Sequence, residues 1–90
     1  MKFEWDKNKA VFNISKHGVS FDEAKTVFND PLYVDFFDPD HSHNEYRYII
    51  IDQSLNNRLL LVAYTEKENT IRLINARELT QRERKDYEEG

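Results

Sequence analysis

The sequence predicts an α+β domain in which a small antiparallel sheet of about four to five strands carries two N-terminal helices and one C-terminal helix. Three observations carry that prediction. Helix punctuation fills residues 6–30, and the apolar period changes from 3.6 to 2 after Pro31. The later strands are separated by short turns, which suit antiparallel neighbours.

Each element can be justified in turn. Lys2 to Trp5 is short and apolar enough to add a strand. Asp6 is a good N-cap for a helix from Lys7 to His17, and Gly18 suits the left-handed residue that stops it. Ala10, Ile14 and His17 recur at helical spacing on one face, with Lys9, Asn13 and Lys16 on the neighbouring one. Ser20-Phe21-Asp22-Glu23 is a capping box for a second helix, with the stripe Phe21, Ala24, Val27, Phe28 and a stop at Asp30-Pro31. Strands are expected at Leu32 to Phe37, Glu45 to Ile51, Leu59 to Thr65 and Thr70 to Ala76. A polar loop, residues 38–44, separates the first two, and Glu66-Lys67-Glu68-Asn69 turns between the last two. Thr80-Gln81-Arg82-Glu83 is a second capping box, opening a helix to about Glu88.

Tight hairpins place Glu45, Arg47, Ile49 and Ile51 on one face with Arg58, Leu60, Val62, Tyr64, Ile71 and Leu73. Tyr46, Tyr48, Ile50, Leu59, Leu61, Arg72 and Ile74 take the other. Both faces are apolar, and three short helices are little to cover them, so a partner chain is expected on part of one.

Composition narrows the function classes. Ninety residues suit a single domain, residues 1–90. There is no cysteine, which removes zinc ribbons, redox motifs and thiol nucleophiles and makes the cytoplasm the expected location. No apolar run approaches the roughly 20 residues of a spanning helix, and the N-terminus lacks an apolar signal region, so no membrane association is expected. The net charge of −4 is unevenly distributed. Residues 1–20 carry +2, residues 21–45 carry −6, and residues 46–90 balance. Any phosphate-binding surface must therefore be local.

The order of these segments resembles the BrnT family of bacterial type II toxins. The resemblance runs through Phe3-Glu4-Trp5-Asp6, Lys16-His17-Gly18-Val19-Ser20-Phe21, Asp30-Pro31, Glu45, Arg47, Arg58-Leu59-Leu60, Tyr64-Thr65-Glu66, Ile71-Arg72 and Ala76-Arg77. It departs from the family pattern at Ile51-Asp52, Lys67 and Asn75. The resemblance implies a RelE-like fold and a ribonuclease that stops translation. It also implies neutralisation by a BrnA-like ribbon–helix–helix antitoxin, with DNA bound only through that partner. A homodimer within a hetero-oligomer is a further possibility.

Metal-independent RNA cleavage needs a base for the ribose 2′-OH, cations for the developing phosphorane charge and a proton donor for the leaving 5′-oxygen. His17, Glu45, Arg47 and Arg77 are the candidate catalytic residues, and Lys9, Lys16, Arg58, Tyr64 and Arg72 the candidate RNA or phosphate contacts. No cofactor is expected, and no metal. A helix C-terminus favours protonated His17, which reads equally as a cap packed on the sheet. Glu45 and Arg47 stand two apart on one strand face, Tyr64 is expected across from Glu45, and an ion pair at the sheet edge is the competing reading. His41-Ser42-His43 beside Asp38 and Asp40 lacks the ligand spacing of known zinc frameworks and reads as a polar turn. The alternative to an enzyme is a non-catalytic module that binds the antitoxin and acts as corepressor in a DNA-binding complex.

Overall fold

The computed structural model describes residues 1–41 and 45–89. Local punctuation sets its helices. Helix α1 spans Lys7–His17. The Asp6 carboxylate accepts from the Asn8 and Lys9 amides at 2.8 and 3.1 Å, and Gly18, at φ 68°, donates to the Ile14 carbonyl at 2.8 Å. Helix α2 is a single turn, Phe21–Ala24, continued by a 3-10 turn over Lys25–Asn29. Only half of its expected capping box forms. The Ser20 hydroxyl accepts from the Glu23 amide at 3.0 Å, but the Glu23 side chain turns to Arg58 instead.

The strands are β1 (Lys2–Glu4), β2 (Asp35–Phe37), β3 (Arg47–Gln53), β4 (Leu59–Lys67) and β5 (Thr70–Glu78), followed by α3 (Gln81–Glu89). They form a sheet in the order β1-β5-β4-β3-β2, and β1 runs parallel to β5, so the sheet is mixed. The strand expected from Leu32 is confined to β2, and the one expected from Glu45 begins at Arg47. The last two strands run two residues further than expected. Their turn shrinks to Glu68-Asn69, whose φ values of 51° and 66° match the twist of a two-residue hairpin.

Register corrects the expected faces. Tyr48 pairs with Tyr64, Ile50 with Val62, and Asp52 with Leu60. The even-numbered residues of β3 therefore share the core face with Leu60, Val62 and Tyr64, while Arg47, Ile49 and Ile51 point the other way. The hairpin turn between β3 and β4 decides this one-residue offset, and alternation within either strand is silent about it. A bulge in β5 around Ile74 resets its phase, so Leu73 and Ala76 both face inward.

The core lies between this inner face and the N-terminal helices. Val19, Phe21, Ala24, Val27 and Phe28 pack on Ile50, Leu60, Val62, Tyr64, Ile71, Leu73 and Ala76. Phe28 is its hub, with ring centroids 5.3 Å from Phe3, 5.4 Å from Tyr33 and 5.0 Å from Tyr64. Helix α1 seats on β5 by a polar device. Buried Asn13 donates to the Val19 and Ala76 carbonyls, both at 2.8 Å, and accepts from the Ala76 amide at 3.1 Å. Asn13 thus replaces the neighbouring strand that β1 supplies only as far as Arg72. Ile14, on the helix face read with Ala10 and His17, is exposed.

Helix α3 buries none of its residues. Its capping box is complete: the Glu83 amide donates to Thr80 at 3.1 Å, and the Thr80 amide to Glu83 at 3.0 Å. Among the described residues, no helix is long and apolar enough to cross a membrane.

Candidate functional site

The outer sheet face carries the candidate site. Strand alternation brings Arg47, Ile49 and Ile51 of β3 onto it with Leu61, Ala63 and Thr65 of β4 and Arg72, Asn75 and Arg77 of β5. Thr65 pairs with Arg47 on one side and Arg72 on the other. Two strand spacings put the arginine Cα atoms about 10 Å apart. Buried Ala63 and Thr65 leave a low floor between them. This row was legible in part: Arg47 and Arg72 stood out, while Thr65 did not, its signal being only its outward parity with Ala63.

Glu45 precedes β3 and is exposed. It lines a cavity of about 510 Å³ with Thr65 and Arg72, to which Lys2, Glu4 and Lys67 also contribute. Arg72 approaches Glu4 at 3.9 Å, where both side chains are about half exposed and the pair is weak. A second cavity, of about 250 Å³, is lined by Lys9, Lys16 and His17 together with Phe12, Ile74 and Asn75. Lys16 Nζ sits 5.7 Å from the Phe12 ring centroid. Asn75 belongs to the outer face and to this second cavity, so it joins the α1 cations to the sheet.

Arg77 also faces outward, opposite Leu61, but its fork is filled. Its Nη1 and Nη2 donate to the two Glu83 oxygens at 2.7 and 2.9 Å. That contact and the Thr80 amide hold the Glu83 carboxyl down at about 2, and Glu83 raises Arg77 in turn. Arg77 anchors α3 in this state.

Two expected contacts are corrected by their surroundings. Tyr64 is 0 % exposed, packed on Phe28 and Tyr48, with its hydroxyl donating to Asp35. Burial, and then Asp35, push its phenol well above the ordinary tyrosine range, so it is a neutral core residue out of reach of RNA. Arg58 is not on an open strand face. Its Nε donates to Glu23 at 2.9 Å, its Nη2 to Glu23 and to the Gly18 carbonyl at 3.1 Å, and its Nη1 to Glu78 at 3.4 Å. Ser54 adds a 2.6 Å bond to the same Glu23 carboxylate. With its donors committed, Arg58 ties the β3–β4 turn to α2.

The expected sites are thus not gathered into one concavity. Glu45, Arg47 and Arg72 cluster at one end of the outer face, Lys9, Lys16 and His17 line its flank, and Arg77 stands beside α3. Ser42 and His43 of the His-Ser-His motif lie outside the described residues, as does the His41 side chain. Among the described residues no group of three or more His, Asp or Glu is placed to hold a metal ion.

Comparison with known proteins gives this surface its context. No curated protein matches the chain. The crystal structure of the ribonuclease toxin BrnT of Brucella abortus superposes with a TM-score of 0.66 at 21 % identity, covering 90 % of this chain and 99 % of that one. That likeness establishes the shared α+β fold. The family described as the ribonuclease toxin BrnT of type II toxin–antitoxin systems matches residues 5–83, and the chain belongs to this family.

Proposed function

We propose that the chain is an endoribonuclease toxin that cleaves mRNA on its outer sheet face without a metal, and that a BrnA-like ribbon–helix–helix antitoxin neutralises it in the bacterial cytoplasm. The observation that supports this reading best is the row Arg47–Thr65–Arg72, with Glu45 sharing a cavity with Thr65 and Arg72. A phosphodiester laid over Thr65 meets a guanidinium on either side, which suits the extra charge of a phosphorane. Glu45 takes the proton of the ribose 2′-OH. The 2′-oxygen bonds to phosphorus, the bond from phosphorus to the 5′-oxygen breaks, and that oxygen leaves with a proton. The products are a 2′,3′-cyclic phosphate and a 5′-hydroxyl. Lys9 and Lys16, with His17 beside them, extend the track for flanking phosphates, and the leaving oxygen draws its proton from water.

The test is cleavage of a labelled mRNA by the purified chain, stripped of antitoxin, with and without EDTA. Chelator-insensitive cleavage leaving a cyclic phosphate is expected, with Arg47→Ala and Arg72→Ala each slowing it by about 100-fold or more while the far-UV spectrum is retained. No cleavage by the wild type removes the enzymatic reading, and inhibition by EDTA removes metal independence. The net charge of −4 and the division of candidate residues among separate sites favour the second reading, a corepressor. An inactive chain that still raises the antitoxin's affinity for its operator would establish it.

A further inference from the structure

An apolar groove lies between the segment leading into β2, the end of β3 and α3. It encloses about 570 Å³. Leu32, Val34 and Phe36 on its wall are 83, 62 and 52 % exposed, and Tyr87 of α3 faces them. Large apolar side chains left this open mark a surface that a second molecule covers.

Its rim is charged with one sign. Asp30, Asp52, Glu83 and Asp86 line the groove; Glu83 is held by Arg77, which leaves the three aspartates facing an occupant. Burial, and then the hydrogen bond with Asp30, push the Asp52 carboxyl up. A complementary occupant is apolar and basic.

We propose that this groove receives a segment of the antitoxin in which large apolar side chains are accompanied by Lys or Arg. The inference rests on the toxin–antitoxin reading and adds the place and chemistry of the contact. The groove adjoins the arginine row, because Phe36 pairs with Ile49, two residues along β3 from Arg47.

The experiment titrates the purified chain with a BrnA-like ribbon–helix–helix antitoxin, using calorimetry. Phe36→Asp and Val34→Glu, both at exposed positions, are expected to weaken binding by about 30-fold or more. Asp86→Lys is expected to weaken it by about 10-fold, most strongly at low salt. Val11→Asp, comparably exposed on α1, serves as control and leaves affinity unchanged. Wild-type-like binding by the Phe36 and Val34 variants overturns the proposal, as does failure of the wild type to bind. A loss of self-association in Phe36→Asp with antitoxin affinity intact assigns the groove to a second copy and also overturns it. RNA cleavage measured on the same variants keeps the two readings separate: an inert chain with groove-dependent binding removes the ribonuclease proposal alone.

Discussion

At the scale of single residues, the Glu23 carboxylate joins parts of the chain far apart in sequence. It lies at the start of α2, accepts from Ser54 and Arg58 of the β3–β4 turn, and through Arg58 reaches Gly18 and Glu78. Its side chain is only 8 % exposed, and Arg58 holds its pKa down at about 2 against an ordinary 4.5. A depressed carboxylate contributes stability that is complete above the unfolded value and is lost as pH falls through the folded one. We therefore expect stability to fall by roughly 3 kcal/mol between pH 4.5 and pH 2 on account of Glu23. Urea midpoints measured across that range check this, and a Glu23→Gln variant should show a flatter acid limb. The Glu83–Arg77 pair acts in the same direction, with a smaller effect because both groups are about one-third exposed. Arg58→Ala leaves Glu23 buried without its partner and is expected to cost about 3 kcal/mol in urea denaturation.

At the scale of elements, the helices differ in what secures them. Helix α1 is fixed by caps a few residues away and by one buried side chain. Asn13→Leu removes three hydrogen bonds and strands the Ala76 peptide, which is expected to cost about 2–4 kcal/mol. Faster hydrogen exchange at the Ala76 amide would distinguish that loss from general loosening. Gly18→Ala introduces a side chain at φ 68° into open space, so strain alone operates and about 1 kcal/mol is expected, whereas Gly18→Asn should cost less. Helix α3 depends on polar contacts because it buries no side chain. Glu83→Ala removes both its capping interaction and its tie to Arg77. Fraying of α3 at a temperature well below the global transition is the expected result, followed by helical ellipticity. The caps were legible because they act within four residues, whereas the turn expected over Glu66-Lys67-Glu68-Asn69 tightens to its last two residues. The tightening of α2 was not legible, because Glu23 serves the distant turn instead of its own helix.

At the scale of the whole molecule, an acidic chain that binds RNA must do so through a local field. On the reading proposed above, Arg47, Arg72 and the α1 lysines at the margin of the outer face supply it. Binding of a non-cleavable RNA is expected to weaken steeply with salt. Arg72→Ala should lower the slope of log affinity against log salt by about 0.7, the value of one phosphate contact on a single strand. An unchanged slope would place the phosphate elsewhere. The sequence by itself determined the α+β class, the first helix to the residue, the last capping box and the identity of Arg47 and Arg72 as candidates, because local periodicity, capping and family likeness are properties of neighbouring residues. Only the tertiary structure decided that Ile50 and not Ile49 enters the core, that Tyr64 is buried, that Arg58 holds the turn to α2 and that Arg77 is occupied by Glu83. Those outcomes depend on strand register and on partners up to 40 residues apart, and no spacing rule along the chain encodes either.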